Sequence, residues 1–408
     1  MPQTLDLLCI VLFVVSSAVG QESCHALVEA NTGFAFKLFR ETAKSTPNEN
    51  VVVAPAALSL DFALLQNGAG PSTKTEIVDA FGWQSLSSVQ INRQSRLLRE
   101  ALSYVQPQPP KDLKLPPGAE TGERLAMARS LWTWRQTIFK PEFLEAARKF
   151  FATDAARLPP NENEAVATIN SWVSIHTGGK IDRVVDAMND DDFLLIDTTW
   201  FKGVWVLPFS LDDTHSGDFL LQSGRKKSVP MMSATRKFSY LEGPKFQAIR
   251  LNYMHAAMVV FLPRETSNLV EFEQSLTSVN WASWAGQMVL RPGHLELPRF
   301  SADYRHDAKE VLEKLRLGSL STSSRSLRKA VENPNGAKLT RLLQLIKLNV
   351  DEKGTEIVSA GVTGGVPGGI HAGQPEIPFR MIVNHPFFFT VVDNATGAIL
   401  YMGAVVEP

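Results

Sequence analysis

Few side chains in this 408-residue sequence stand at spacings that do chemistry. The eight histidines are scattered, none at ligand spacing to another, and no H-E-x-x-H, G-x-S-x-G elbow, Walker loop or EF-hand spacing occurs. Asp190-Asp191-Asp192 sets three carboxylates together as a divalent-cation site would, but adjacent carboxylates in a turn read as a solvated loop. Arg93, Arg96 and Arg99 recur every three residues and form a cationic helix face, open either to water or to a heparin-like polyanion. Asn394-Ala395-Thr396 matches an N-glycosylation acceptor and equally suits a hairpin turn. This inventory points away from an enzyme, and no metal or cofactor is expected.

The elements that must position these groups are those of an ordinary globular chain. With 44% apolar and 20% charged residues and a net charge of −1, it can bury a large core and has no pull toward nucleic acid or membrane surfaces. Residues 1–20 join an apolar run, Leu7 to Val15, to the small residues Ser16 to Gly20, the pattern of a cleaved secretory signal, so a secreted, extracellular protein is expected. Cys9 falls in that leader and Cys24 stands alone, an inert thiol with no partner for an internal disulfide.

Periodicity places helices early: Ala26 to Ala43, Ala57 to Asn67 opened by Pro55, Thr73 to Phe81, Gln90 to Tyr104, Pro141 to Phe151 and Glu164 to Ile175. A Pro-rich linker covers Gln106 to Glu123, and a last helix runs from Ala308 to Leu315. Strands dominate later: Phe193 to Phe201, several short runs before Phe300, and a closing pair, Phe387 to Val392 and Ile399 to Val405. Without a βαβ rhythm this is an α+β fold with large antiparallel sheets. Between Lys347 and Phe389 the chain runs from a strand end through the polar Asp351 to Glu356. It then enters Ile357 to Gln374, whose six glycines and lack of acidic or cationic residues other than His371 predict a long exposed loop.

Several blocks resemble the serpins: Phe201-Lys202-Gly203-Val204-Trp205 with Pro208-Phe209, Val229 to Met232, Leu297 to Phe300, Asp351 to Glu356, Asn384 to Phe387 and Tyr401 to Val406. Asn170 to Val173 with Gly179 to Ile181 is similar to the serpin helix that crosses the main sheet. The resemblance implies one domain over 21–408, about nine helices around three mainly antiparallel sheets, and an exposed reactive-centre loop over about 352–380. It implies a monomer whose partner is a target serine protease. That protease attacks the loop and forms an acyl-enzyme, after which the loop inserts into the main sheet.

By the same resemblance Glu352, Gly354, Thr355, Glu356, Ser359 and Ala360 form the hinge. Gly354 supplies rotation, and Thr355, Ser359 and Ala360 are small enough to enter a sheet, while Ile357 and Val358 are bulkier than the alanines usual there. Counting seventeen residues from Glu352 places the scissile bond at Gly368-Gly369, whereas counting back from Pro386 places it near Pro375. A small residue at that point implies an elastase-like or subtilisin-like target. In the sheet-opening region, which also includes Trp205, Ala54 and Ala57 replace the usual hydroxyls, and Asp197 and Gln344 replace the usual Asn and His; two readings stand open, a substitute Asp197–Gln344 hydrogen bond or simple drift with a repacked apolar patch. The rival reading is a non-inhibitory serpin acting as carrier, chaperone or signalling ligand.

Overall fold

The computed structural model describes residues 23–103, 124–179, 181–188, 193–264, 268–307, 309–333, 335–355 and 377–408. The leader, the Pro-rich linker, the aspartate triplet, and the loop from Glu356 through Gly368-Gly369 to Glu376 lie outside them.

The helices form where apolar spacing and caps dictate. α1 (His25–Ser45) buries Leu27, Phe34, Phe36, Leu38 and Phe39, and leads to β1 (Val51–Val53). In α2 (Pro55–Gly68) Pro55 occupies the first turn, and every residue but Asn67 is buried. A helix apolar all round must lie in the centre, and one charge, Asp61, sits in it. α3 (Pro71–Phe81) ends on Gly82 at φ 73°, the left-handed cap a glycine adopts freely. α4 (Ser88–Ala101) starts with a Ser87–Gln90 capping box. The chain continues through β2 (Arg124–Thr133), α5 (Pro141–Phe151), β3 (Asp154–Arg157), α6 (Glu162–His176), β4 (Phe193–Val204), β5 (His215–Leu220), β6 (Lys226–Glu242), β7 (Phe246–Asn252) and β8 (Ala256–Pro263).

Two helices, α7 (Leu269–Ser275) and α8 (Ser278–Gln287), interrupt the region read as strand-rich. Their signals were present but short: Asn268 accepts from the Glu271 amide and Thr277 from the Asn280 amide as N-caps. The chain then gives β9 (Val289–Pro298), β10 (Phe300–Asp307), α9 (Lys309–Lys314), α10 (Ser319–Thr322), β11 (Arg341–Asp351), β12 (Gly354–Thr355), β13 (Phe379–Ile382), β14 (Phe387–Asp393) and β15 (Ile399–Val405).

Among the described residues the strands form two hydrogen-bonded sheets. One follows the order β1-β15-β14-β8-β7-β6-β9-β13 with β5 on β6, and the other β10-β11-β12-β4-β2-β3 with β11 also paired directly to β4. The larger one unites two of the three sheets expected, because the 17-residue β6 pairs with β5 at its start and with β9 and β7 further on. Pairing is mainly antiparallel; β2–β3, β4–β11 and β9–β13 are parallel.

The six-stranded sheet is covered on both faces. Phe193, Leu195 and Phe201 of β4 and Leu342, Ile346 and Leu348 of β11 join the main core with α2. On the opposite face Leu194, Ile196 and Leu343 pack with Ala165, Ile169, Trp172 and Val173 of α6, so α6 lies across this sheet. β13 is held by Phe379, which stacks on Tyr240 at 3.9 Å over Gly293. A Cβ at Gly293 would lie 2.2 Å from that ring. Gly293→Val should therefore cost about 1–3 kcal/mol by overpacking, read as an earlier denaturant midpoint and faster proteolysis ahead of Phe379.

Candidate functional site

Gly354, Thr355 and the seam between β4 and β11 form one site. Thr355 pairs with Val350 of β11 and with Gly203 of β4, and Gly354 with Asp351 and Val204. These two residues thus wedge between the strands just beyond the stretch where Arg341–Lys347 pairs directly with Leu194–Trp200. Gly354 has φ 153°, and a Cβ there would lie 1.9 Å from the Gly203 carbonyl oxygen, so only glycine fits. Thr355 is fully buried, and its hydroxyl is 2.6 Å from the Tyr253 hydroxyl. Gly203 makes room for Tyr253, whose ring would be 2.5 Å from a Cβ at that position.

Trp205 fixes the turn between β11 and β12. Its ring stacks on Tyr253 at 4.3 Å, its indole donates to the Asp351 carbonyl at 2.8 Å, and its amide donates to Lys353 O at 2.9 Å. Glu352 is buried and accepts from Arg299 Nε at 2.8 Å and from the Thr214 hydroxyl at 2.6 Å. Burial pulls its carboxyl upward, but the Arg299 and Thr214 bonds outweigh this and hold it below the usual range. The structure therefore brings Glu352, Gly354, Thr355 and Trp205 together; Glu356, Ser359 and Ala360 lie outside the described residues.

Further down the seam Asp197 and Gln344 are register partners, but the hydrogen bond expected between them is absent. Asp197 Oδ2 instead accepts from Arg129 Nη2 at 3.0 Å, and Oδ1 accepts from the Thr199 hydroxyl at 2.7 Å. Arg129 stands opposite Asp197 on β2 and also donates through Nε to Asp61 and through Nη2 to the Ala57 carbonyl at 3.2 Å. Gln344 bonds the backbone of Ala54, Oε1 from N and Nε2 to O, both at 3.4 Å. The physical reason is charge: a buried carboxylate is stabilised far better by a guanidinium than by a neutral amide. Ala54 and Ala57 contribute backbone where hydroxyls were expected.

Asp61 and Asp197 are both fully buried. Burial raises the Asp61 carboxyl to about 8 in spite of Arg129, with the Asp197 charge adding to the rise, and Asp61 Oδ2 has no hydrogen-bond partner among the described residues. Burial likewise raises Asp197, against Arg129 and Thr199. Arg129 and Asp61 escaped the sequence reading. The available signal was a lone carboxylate in the apolar run of α2 and a lone arginine in an alternating strand, which bury charge only in company.

A family model, the serpins or serine protease inhibitors, matches residues 29–408. The chain belongs to the serpin family. It is 26% identical to α1-antitrypsin of Sus scrofa, over 95% of this chain and 88% of that protein. To leukocyte elastase inhibitor A of Mus musculus it is 27% identical, over 94% and 99%. Among solved structures, mouse protein-Z dependent protease inhibitor superposes with TM-score 0.81 at 24% identity, covering 94% of this chain and 98% of that one. Thyroxine-binding globulin in complex with thyroxine gives TM-score 0.80 at 23%, covering 94% and 99%. The fold is the serpin fold.

The remaining residues singled out from this serpin's sequence stand apart from the seam. On α4, Arg96 and Arg99 both approach Glu100, at 3.9 and 3.4 Å, so a carboxylate sits within the cationic face that also carries Arg93. Asn394 Nδ2 donates to the Ala256 carbonyl at 3.1 Å, and Thr396 Oγ1 donates to Asp393 at 2.6 Å, so both polar positions of the acceptor pattern are used in the β14–β15 turn. Cys24 is partly buried, and burial raises its thiol.

Arg129→Met should cost about 3–5 kcal/mol in chemical denaturation, because two buried aspartates lose their guanidinium partner. The pH dependence follows from Asp61. Its folded value of about 8 exceeds its ordinary 3.8, so the stability it contributes is full below 3.8 and is lost as pH climbs through about 8. Asp61 should therefore contribute a decline of the denaturant midpoint from about pH 4 to about 8 that levels off above, and Asp61→Asn should remove that decline.

Proposed function

We propose that this serpin is a secreted inhibitor of a serine protease, acting as a suicide substrate. The target's serine Oγ adds to the scissile carbonyl of the loop, the peptide bond breaks, and the new amine leaves on the C-terminal fragment. The acyl-enzyme ester stays on the N-terminal side, which enters the seam between β4 and β11 before water can hydrolyse it. Secretion is supported by the apolar leader.

The observation that carries this reading is β12 itself. Gly354 and Thr355 occupy the first position of the added strand, bonded to both banks, with Thr355 in a buried slot against Tyr253. If insertion continued both antiparallel registers, Ile357 would come between Phe201 and Leu348, two buried apolar residues that suit its bulk. Because strand side chains alternate, Glu356 would face the other side, alongside Lys202 of β4. Each later glycine weakens the added strand by roughly 0.5–1 kcal/mol, spread against a whole ladder of new hydrogen bonds. The absence of Lys and Arg between Glu356 and Phe379 supports an elastase-like or subtilisin-like target rather than a trypsin-like one.

The test is incubation with elastase, subtilisin, chymotrypsin and trypsin followed by a denaturing gel. A band of enzyme plus serpin that survives denaturant is expected with a small-residue protease. Loop cleavage with neither complex nor gain in heat stability would sink the reading in favour of a carrier or signalling role. Thr355→Arg, which forces a charge into the slot at Tyr253, should leave cleavage intact and convert the inhibitor into a substrate, seen as loss of the complex band.

A further inference from the structure

We propose that the fork where β6 parts from β7 is a binding site for a small aromatic carboxylate, with Arg236 and Arg250 receiving the carboxylate and the surrounding apolar side chains receiving the ring. The site borders the seam at Trp205 and does not depend on loop insertion.

The recess follows from the length of β6. Ser239 through Glu242 pair with β7, and Ser239 lies between Arg250 of β7 and Leu290 of β9. From Phe238 back to Arg236 the strand keeps β9 alone among the described residues. At the end of β7 the Asn252 carbonyl accepts instead from the Val206 amide, at 2.9 Å. The segment Trp205 to Leu207 thus closes the gap between two diverging strands. It leaves a recess of about 150 Å³, lined by Trp205, Val206, Leu207, Phe238, Leu251 and Leu290 together with Arg236 and Arg250. With no strand beside it on that edge among the described residues, β6 opens both of its faces to the recess.

Two features point to the occupant. The first is uncompensated charge. Arg236 and Arg250 are both half-buried; burial lowers both guanidiniums, and no carboxylate among the described residues acts against it. By contrast Arg129, Arg264, Arg291 and Arg299 each meet a carboxylate. Arg236 Nη1 and Nη2 donate to the carbonyls of Pro208 and Leu207 at 3.1 and 2.7 Å, and the guanidinium lies over the rings of Phe238 and Phe209 at 5.0 and 5.4 Å. Its Nε is buried with no hydrogen-bond partner among the described residues. Arg250 donates from Nε to Asn252 Oδ1 at 3.0 Å and from Nη2 to Asn394 Oδ1. Neutral oxygens and rings hold these cations in place, and a carboxylate would add charge-assisted bonds roughly twice as strong as neutral ones.

The second feature is apolar surface. Val206, Leu207 and Leu290 are 54%, 43% and 62% exposed and stand together at one mouth, whereas exposed apolar side chains are ordinarily scattered. A space of about 150 Å³ holds one benzene-sized ring. An anion without a ring would leave this wall wet, and a neutral ring would leave the guanidiniums uncompensated. The two features together select an aromatic acid.

The test is titration of the intact serpin with phenylacetate, followed by ligand-observed NMR. Saturable binding is expected, with a dissociation constant in the millimolar range or below. Benzyl alcohol keeps the ring without the charge and acetate keeps the charge without the ring, so each should bind at least about tenfold more weakly. Arg250→Gln should weaken phenylacetate about tenfold. Leu290→Glu, which builds a carboxylate onto an exposed position at the mouth, should abolish saturable binding by occupying the guanidiniums from within. Photo-cross-linking with para-azidophenylacetate, located by mass spectrometry, keeps the test independent of how the variants fold. The label should fall on Trp205 to Leu207, Arg236 to Ser239 or Arg250 to Asn252. No saturable binding up to about 10 mM would overturn the site. So would equal affinity for benzyl alcohol, a label placed elsewhere, or binding that both substitutions leave unchanged.

Discussion

A guanidinium buried between two aspartates is an expensive thing to place at the centre of a protein, and the sheet region of this serpin is arranged around it. Arg129 can be stabilised only if Asp61 on α2 and Asp197 on β4 stay within its reach, which ties β2 and β4 to the central helix. The facing strand β11 is tied to the same helix differently, by the neutral amide of Gln344 on the Ala54 backbone. Each bank satisfies its own polar groups on α2. Between Asp197 and Gln344 the seam is crossed by backbone pairing and not by a side-chain bond. A seam of that kind can part without orphaning a buried polar side chain on either bank.

The hinge uses a complementary economy of space. Gly354 lets its backbone approach the Gly203 carbonyl, and Gly203 in turn leaves room for the Tyr253 ring. Into that opening Thr355 sends a hydroxyl that finds the Tyr253 hydroxyl, while Trp205 and Glu352 pin the preceding turn. A buried hydroxyl with a partner costs little, and one without a partner would cost the full desolvation of the group. Thr355 is therefore held by both the ladder and its side chain.

Much of the architecture was legible beforehand. The strongly patterned helices α1, α2, α5 and α6 and the buried strands β4, β14 and β15 fall within a few residues of where periodicity and turn residues place them. The short helices α7 and α8 did not stand out, since seven to ten residues carry too few periods to separate a helix from neighbouring strands. Gly354 and Thr355 were singled out through family resemblance, and Tyr253, which completes the slot of Thr355, was not. Its position 102 residues away from Thr355 carries no local signal.

The sequence by itself determined that this is an α+β chain of serpin type, and it singled out the glycine at 354 and the small side chain at 355. Those follow from local propensity, residue size and motif order, which are properties of short windows. Only the tertiary structure decided how the charge at Asp197 is satisfied. From the sequence Gln344 was the natural partner, and register does set the two opposite each other. What chose Arg129 was the requirement that buried charges be neutralised by charge, and it is met by residues from α2, β2 and β4 that are far apart along the chain.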